Sequence, residues 1–595
     1  MGKNENGIRK FINERGKEIM DFILRAIKKK DISLKVEYTG KLKNINSQNG
    51  VLYIEKLDHL DYKEEEIGEG TKGYILGDVI NYSSKDATKH KGFFYIIKWD
   101  QKSNIIEFHS DYQNFLPIYY YEGNDYYLIS SSVDTIYSLL SGLEINQVFV
   151  TEMALLNVPF QDSCFFRHIK RLNYNCYLRI DSNGLKEMRT KRFYDYFADS
   201  PIPYKKAINR VVESFIDNCS KYFTEPSYVS LTGGFDGRTV NAMAHYCQND
   251  FIAFSHGKAE YSDVYIPLCL SQKLNFPYKL INLGDDYIEN YYERFVREYL
   301  RHSGGMNGFL YPHTPYDAYV LSENPRPVIT GYIGSELLRN AHFPGAITSK
   351  FVVDYLSFGD DVAERNAQNN PNYTVLKDYL DLKAIQDILE KIKNYFIKLP
   401  RDLNNNQKLA CFEFEEILPK LFGTWVYSGM HYSRIRVPFV DRQFFNAIVK
   451  TEVSQFYRKF LEQNPLKRFW GQYLYAQIIN RTWPQIGKEM SGKGYAPADL
   501  LSLLGRIRIT YGYSGKKKRI NKGNFDNLGL ISGMLHYRKS IEDPILKETV
   551  TDEYAVQLLH NEQARDILFL QLSVYEYARM KNSNLDGITS QIITR

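Results

Sequence analysis

The sequence predicts two architectures in one chain: an antiparallel, β-rich first part, then an α/β part with a parallel sheet that ends in helices. Three observations predict it. Between about residues 32 and 190, short apolar or aromatic runs recur between turn residues. After Tyr204, apolar runs alternate with helical stretches, the texture of βαβ units. From about Asn340 onward helical periodicity dominates. At 595 residues the chain is too long for a single core. The expected division is a helical extension over 1–31, a β-rich domain over 32–200 and an α/β domain over 201–595.

The extension is read as an amphipathic helix because Ile8, Phe11, Ile12, Ile19, Phe22 and Ile23 fall at roughly helical spacing. The expected strands are Leu34–Tyr38, Val51–Ile54, Tyr74–Ile80, Phe93–Trp99, Ile105–Phe108, Ile118–Tyr121, Tyr126–Ile129 and Cys176–Ile180. In the second part a helix over Ala207–Phe223 precedes a strand at Tyr228–Leu231, a glycine turn, and a helix starting near Arg238. Strands at Phe251–Phe254, Tyr278–Leu283 and Val328–Thr330 follow, with a helix over about Asp263 to Lys273. Arg506–Lys522, with its Gly-Lys-Lys-Lys-Arg run, reads as an exposed insertion, and a solvated loop is the plainer account of its charge.

Composition excludes several classes. The net charge is +6, too small for this length to demand nucleic acid. Six cysteines, Cys164, Cys176, Cys219, Cys247, Cys269 and Cys411, form no C-x-x-C pair and no zinc spacing. So few thiols suggest a reducing compartment, and with no secretory pattern or spanning apolar run the expected location is the cytoplasm, with no membrane partner.

The string that carries chemistry is Ser230-Leu231-Thr232-Gly233-Gly234-Phe235-Asp236-Gly237-Arg238, between a buried strand and a helix. That is where an α/β sheet binds ligands. The paired glycines let backbone N–H groups approach phosphate oxygens, and the helix N-terminus adds partial positive charge. Thr232 offers a hydroxyl, and Asp236 a carboxylate suited to Mg²⁺. A plain strand-to-helix turn is the competing reading. Gly68-Glu-Gly-Thr-Lys-Gly73 spells G-x-G-x-x-G but precedes a strand, so it reads as a turn.

The string resembles the S-G-G-x-D-S pyrophosphate loop of the N-type ATP pyrophosphatases, in particular the asparagine synthetase and β-lactam synthetase family. The likeness continues in order. Phe254-Ser255-His256-Gly257, then Ser262-Asp263, is similar to the family's second strand, whose backbone reads adenine. Ile329-Thr330-Gly331-Tyr332-Ile333-Gly334-Ser335-Glu336-Leu337 is similar to its S-G-x-G-x-D-E-L turn, and Tyr432–Asp441 to its E-x-R-V-P-F-L-D segment. Lys467-Arg468, Trp483-Pro484 and Ser491-Gly492-Lys493-Gly494-Tyr495 resemble its closing elements.

In the first domain, Gly73–Tyr82, Gly92–Asp100, Asp111–Tyr120, Ser130–Ser132 and His168–Leu172 resemble a class II glutaminase domain of Ntn-hydrolase type. An active glutaminase uses a cysteine at the mature N-terminus. Here the chain begins Met1-Gly2-Lys3, its first cysteine is Cys164, and the segment between Gly77-Asp78 and Gly92 is short for the glutamine-holding helix. The resemblance therefore implies a degenerate glutaminase-like domain followed by an ATP-pyrophosphatase domain, and an amine that does not come from glutamine.

The family likeness implies ATP and Mg²⁺, a small-molecule or peptide carboxylate, an acyl-adenylate and an amine acceptor, and it allows a homodimer. It places ATP on Leu231, Thr232, Gly233, Gly234, Asp236, Gly237, Arg238, Ser255, His256, Gly257, Thr330 and Gly331. It places Mg²⁺ on Asp236 and Glu336, the latter because Ser335 stands where a second carboxylate is expected. Lys493 is the expected charge-stabilising cation. Tyr332 stands where β-lactam synthetases carry a tyrosine that works with a downstream glutamate to deprotonate an internal amine; Glu364 is a disfavoured candidate for that partner, and simple aromatic packing of Tyr332 is an equal reading. Arg434 and Arg436 are expected to pair with Asp441. Three function classes remain: an amide-forming ligase, an RNA-thiolating adenylase disfavoured by the missing C-x-x-C, and a scaffold suggested by Ser335 and Gly237.

Overall fold

In the computed structural model the described residues are 22–27, 42–47, 50–55, 57–68, 70–80, 90–100, 102–140, 142–339, 348–369, 382–461, 469–509, 526–540 and 562–581. The protein is mixed α/β, with an antiparallel region followed by a five-stranded parallel sheet and helices.

Among the described residues twelve antiparallel strands form two six-stranded sheets. They are β1 (Phe22–Ile27), β2 (Leu42–Ser47), β3 (Gly50–Glu55), β4 (Asp61–Gly68), β5 (Thr71–Ile80), β6 (Lys91–Asp100), β7 (Ile105–His109), β8 (Tyr119–Glu122), β9 (Tyr126–Ser130), β10 (Ile169–Arg171), β11 (Cys176–Asp181) and β12 (Gly184–Arg189). One sheet runs β10-β8-β9-β1-β3-β2 and the other β12-β11-β7-β6-β5-β4. Alternation fixes their facing sides: Phe22, Leu24 and Ala26 of β1 are buried, and the Phe22 ring lies 5.1 Å from Tyr95 of β6 and 5.7 Å from Phe108 of β7.

The expected helix over the N-terminal extension is corrected at its C-terminal end. Residues Phe22–Ile27 form a strand that pairs with β3 on one side and β9 on the other. Phe22, Leu24 and Ala26 satisfy a period of two, and the open edges of two neighbouring strands decide in its favour. Residues 1–21 and 28–31, the expected strand Leu34–Tyr38, and residues 81–89 between β5 and β6 lie outside the described residues, as does most of Arg506–Lys522. Gly68 and Thr71 close the β4–β5 hairpin, so the G-x-G-x-x-G string is a turn.

The parallel sheet runs β15-β14-β13-β16-β17, with β13 at Ser227–Ser230, β14 at Phe251–Gly257, β15 at Tyr278–Asn282, β16 at Val328–Ile329 and β17 at Ile435–Arg436. The chain winds outward from β13 to β15, then returns to lay β16 on the other side of β13. That reversal opens a crevice at the C-terminal ends of β13 and β16. The helix after β13 spans Phe235–Tyr246, three residues earlier than expected, so Asp236 and Gly237 sit in its first turn. No helix among the described residues is long and apolar enough to cross a membrane.

Buried ion pairs tie the antiparallel part to the parallel sheet. Arg436 of β17 grips both carboxylate oxygens of Asp78 on β5, at 2.7 and 3.1 Å, and reaches Glu225 at 2.7 Å. Arg434 takes Glu225 with both of its terminal nitrogens. Neither arginine pairs with Asp441, as had been expected. Asp441 instead receives Lys91 of β6 and caps the helix Arg442–Val449 through Gln443 and Phe444 N–H groups, each at 3.0 Å. Only 3% of the Arg436 side chain is exposed, so its charge depends on these carboxylates. Asp78→Ala is expected to destabilise the fold by about 3–5 kcal/mol, read as a lowered denaturant midpoint with an unchanged slope.

Candidate functional site

A cavity of about 300 Å³ occupies the crevice where the winding reverses. Its lining comes from the end of β13 and the loop beyond (Ser230, Thr232, Asp236, Gly237), the end of β14 (Ser255, His256) and the turn after β16 (Thr330 to Ile333, Ser335, Glu336). The far wall is Thr314 and Asp317 of the helix His313–Leu321, with Phe422 and Trp425 of the helix Leu418–Met430. Its volume lies at the lower end of the range for ligand sites.

Asp236 is held firmly. Ser335 donates to its Oδ2 at 3.1 Å, and the Tyr475 hydroxyl, from the helix Trp470–Thr482, donates to its Oδ1. Two glycines make room for it. A Cβ on Gly331 would lie 2.7 Å from the Asp236 carbonyl carbon, and one on Gly334 only 2.5 Å from Asp236 Oδ1. Between them Ile333 adopts φ +68°, a left-handed conformation that costs a β-branched residue about 1–3 kcal/mol. The turn thus carries strain at the place where it faces the cavity. Burial, then the neighbouring Asp236 carboxylate, pushes the Tyr475 hydroxyl well above its ordinary value, so it stays a donor.

The glycine amides are not open. Gly233 N–H donates to Asp263 Oδ1 at 3.2 Å, and Gly234 N–H to Thr232 Oγ at 3.3 Å. An anionic oxygen already sits where a phosphate oxygen is expected. From above, Gly492 N–H donates to the Gly233 carbonyl at 2.8 Å and places the turn Ser491–Tyr495 on the loop. Lys493 stands in that turn with its ammonium 5.1 Å from the centre of the Phe235 ring.

Of the residues expected to meet nucleotide, the structure brings Thr232, Asp236, Gly237, Ser255, His256, Thr330 and Gly331 to the cavity, together with Tyr332 and Glu336. Five do not line it: Gly233 and Gly234, whose amides are already engaged, and three that point elsewhere. Leu231 is fully buried and donates its N–H to the Phe254 carbonyl. Arg238 is also fully buried; its guanidinium donates to the carbonyls of Ile486, Glu489 and Met490, and burial drops it to about 10. It braces the segment leading to Lys493 and makes no wall of the cavity. Gly257, at φ +128°, lies against Asn527, which a Cβ there would strike. Glu364 accepts from Gln368 one turn along its own helix and from Gln386 of the helix Leu382–Ile397, and is absent from the cavity wall, so the Tyr332–Glu364 pairing is replaced. Tyr332 packs with Trp425 and Phe422, at 5.2 and 6.0 Å between ring centres.

Asp236 and Glu336 are the carboxylates of the cavity suited to a cation. Among the described residues no cluster of three or more His, Cys, Asp or Glu side chains has metal-site geometry. Two carboxylates do not make a complete protein cage, but they fit Mg²⁺ arriving on phosphates, which takes one or two carboxylates and keeps waters. Behind Glu336, burial pushes the Glu413 carboxyl well above the usual range, and the Glu336 charge adds to the shift. The first cysteine, Cys164, is buried, which pushes its thiol up to about 12 and leaves it no nucleophile.

Sequence reasoning missed Tyr475 and the wall residues Thr314, Asp317, Phe422 and Trp425. None stands in a glycine-rich or charged string, and nothing local marks them. No protein-family model matches the chain, and no curated protein matches it. Gly331→Ala is expected to cost about 1–3 kcal/mol by forcing its methyl into the Asp236 backbone, measured by urea unfolding.

Proposed function

We propose that the protein is an ATP-dependent carbon–nitrogen ligase that activates a carboxylate as an acyl-adenylate and joins it to an amine without hydrolysing glutamine. The finer fold reading goes with it: layered sheets of Ntn-hydrolase type, then a sheet of ATP-pyrophosphatase type. One observation carries the proposal. The Thr232–Asp236 loop, the Thr330–Glu336 turn and the β14 end converge on a single cavity at the reversal of a parallel sheet, with the Lys493 turn seated on the loop.

In this reading the substrate carboxylate attacks the α-phosphorus, and the bond to the β-phosphate breaks. The Gly233 amide takes a phosphate oxygen once Asp263 withdraws, and the Gly234 amide and Thr232 hydroxyl take theirs on parting from each other. Asp236, steadied by Tyr475 and Ser335, and Glu336 would hold Mg²⁺, which supplies charge neutralisation on the phosphates. Lys493 follows the charge that develops on the departing group. Because burial leaves Cys164 no nucleophile, the antiparallel part is read here as structure rather than as a glutaminase.

A scaffold without catalysis is the second reading, favoured by the Asp263 carboxylate on Gly233 and by Ser335 in place of a carboxylate. Exchange of labelled pyrophosphate into ATP, with Mg²⁺ and a panel of carboxylates, separates the two. The ligase reading expects exchange that vanishes in Asp236→Ala and falls about 10²–10³-fold in Lys493→Ala. No exchange with any carboxylate would leave the scaffold. Asp263→Asn is expected to tighten ATP binding in equilibrium dialysis, because it removes a carboxylate that competes with phosphate.

A further inference from the structure

His256 lies at the end of β14, the neighbour of the strand β13 that leads into the Thr232–Asp236 loop, and lines the same cavity. Its Nδ1 is 2.5 Å from Asp317 Oδ2. Since a carboxylate only accepts, Nδ1 carries the proton, and Nε2 is left as an acceptor. The imidazole is 28% exposed, whereas the Asp317 side chain behind it is 11% exposed. Asp317 Oδ1 has no hydrogen-bond partner, so much of its charge remains uncompensated within the protein. This is the arrangement of a base in front and an orienting carboxylate behind.

The other titratable groups of the wall are poorly suited to accept a proton. Asp236 receives Tyr475 and Ser335 and, with Glu336, faces the expected cation. The Tyr332 hydroxyl is pushed up by burial. His313 packs its ring 5.0 Å behind His256, and burial, then the His256 charge, holds it far below its ordinary value and therefore neutral. The groups facing His256 are thus Asp317 and His313 from one helix and Asp263 from another.

Resting on the ligase reading, we infer that His256 is the catalytic residue that takes the proton of the attacking nitrogen, with Asp317 as its positioning residue, and that the acceptor is a primary amine. The amine arrives as the ammonium, and His256 Nε2 takes its first proton and frees the lone pair. That pair forms the bond to the acyl carbon while the carbon–oxygen bond to phosphate breaks. AMP leaves with the electrons of that bond, and the second proton passes to water; hydroxylamine, already neutral, needs no such first step. The imidazolium is then stabilised by Asp317 and returns its proton to water. Burial opposes the charged imidazole, but Asp317 outweighs it, and the result lies above the ordinary histidine value. Neutral His256 is the competent form, so amide formation rises with pH through that elevated value.

The test uses the full chain with ATP, Mg²⁺ and the amino acids and their N-acetyl derivatives as carboxylate probes. Butylamine is the amine probe, and hydroxylamine, which is largely neutral near pH 7, is the comparison nucleophile. His256→Gln is expected to lower butylamide formation about 10²-fold or more, the usual scale for a general base. Because His256 also lines the cavity expected to take nucleotide, butylamide formation is read as its ratio to pyrophosphate exchange and to hydroxamate formation by the same variant, and a urea unfolding transition like the wild type's shows that the variant folds. Asp317→Asn should move the rising limb of the butylamide pH profile to lower pH, because the imidazolium loses its anion. Exchange and hydroxamate without butylamide in the wild type, an unaffected His256→Gln, or an unmoved limb in Asp317→Asn each overturns this inference alone. Absence of exchange with every carboxylate overturns the ligase reading and this inference with it.

Discussion

The placement of the Asp236 carboxylate organises the site. It stands in the first turn of the helix Phe235–Tyr246, where the backbone favours negative charge. It is held there by a tyrosine and a serine from two other parts of the chain. The turn that brings Ser335 can approach only because residues 331 and 334 lack side chains, and it does so through a strained Ile333. Cavity shape, charge and strain therefore meet at one carboxylate.

The same logic of distant supports appears at the junction of the two parts. Arg436 sits on an edge strand of the parallel sheet, and Asp78 on the strand next to the edge of one antiparallel sheet. The pair is buried and shares Glu225 and a bidentate geometry, which offsets the cost of desolvation. The two architectures are consequently locked at a point close to β16, whose end lines the cavity.

Interior strands were legible in the sequence because burial writes an apolar pattern: β3, β5, β6, β7, β9, β11, β13 and β14 all fall on expected runs. The missed β2, β4, β10 and β12 are the four edges of the two antiparallel sheets. An edge strand need not be apolar and is safer charged, as Asp61-Tyr-Lys-Glu-Glu-Glu-Ile-Gly68 shows. β1 was misread because Ile19, Phe22 and Ile23 imitate a helical stripe. At the site, the glycine string announced where the loop lies, since the backbone itself makes it. It did not tell which side chains turn inward. Arg238 follows the loop in sequence yet points away, and Tyr475 reaches Asp236 from about 240 residues downstream.

The Arg238 brace has a mechanical consequence. Its guanidinium holds three carbonyls just before Ser491, while Gly492 N–H holds the Gly233 carbonyl from the other end. Helix start, glycine loop and lysine turn are thereby riveted into one block whose parts keep their spacing. Asp263, by contrast, touches that block through a single acceptor contact to Gly233 from the neighbouring helix. Lys273, farther along that helix, reaches Glu489 of the same block at 2.8 Å, so freeing the Gly233 amide asks only for a change at the Asp263 side chain and leaves the spacing of the block intact.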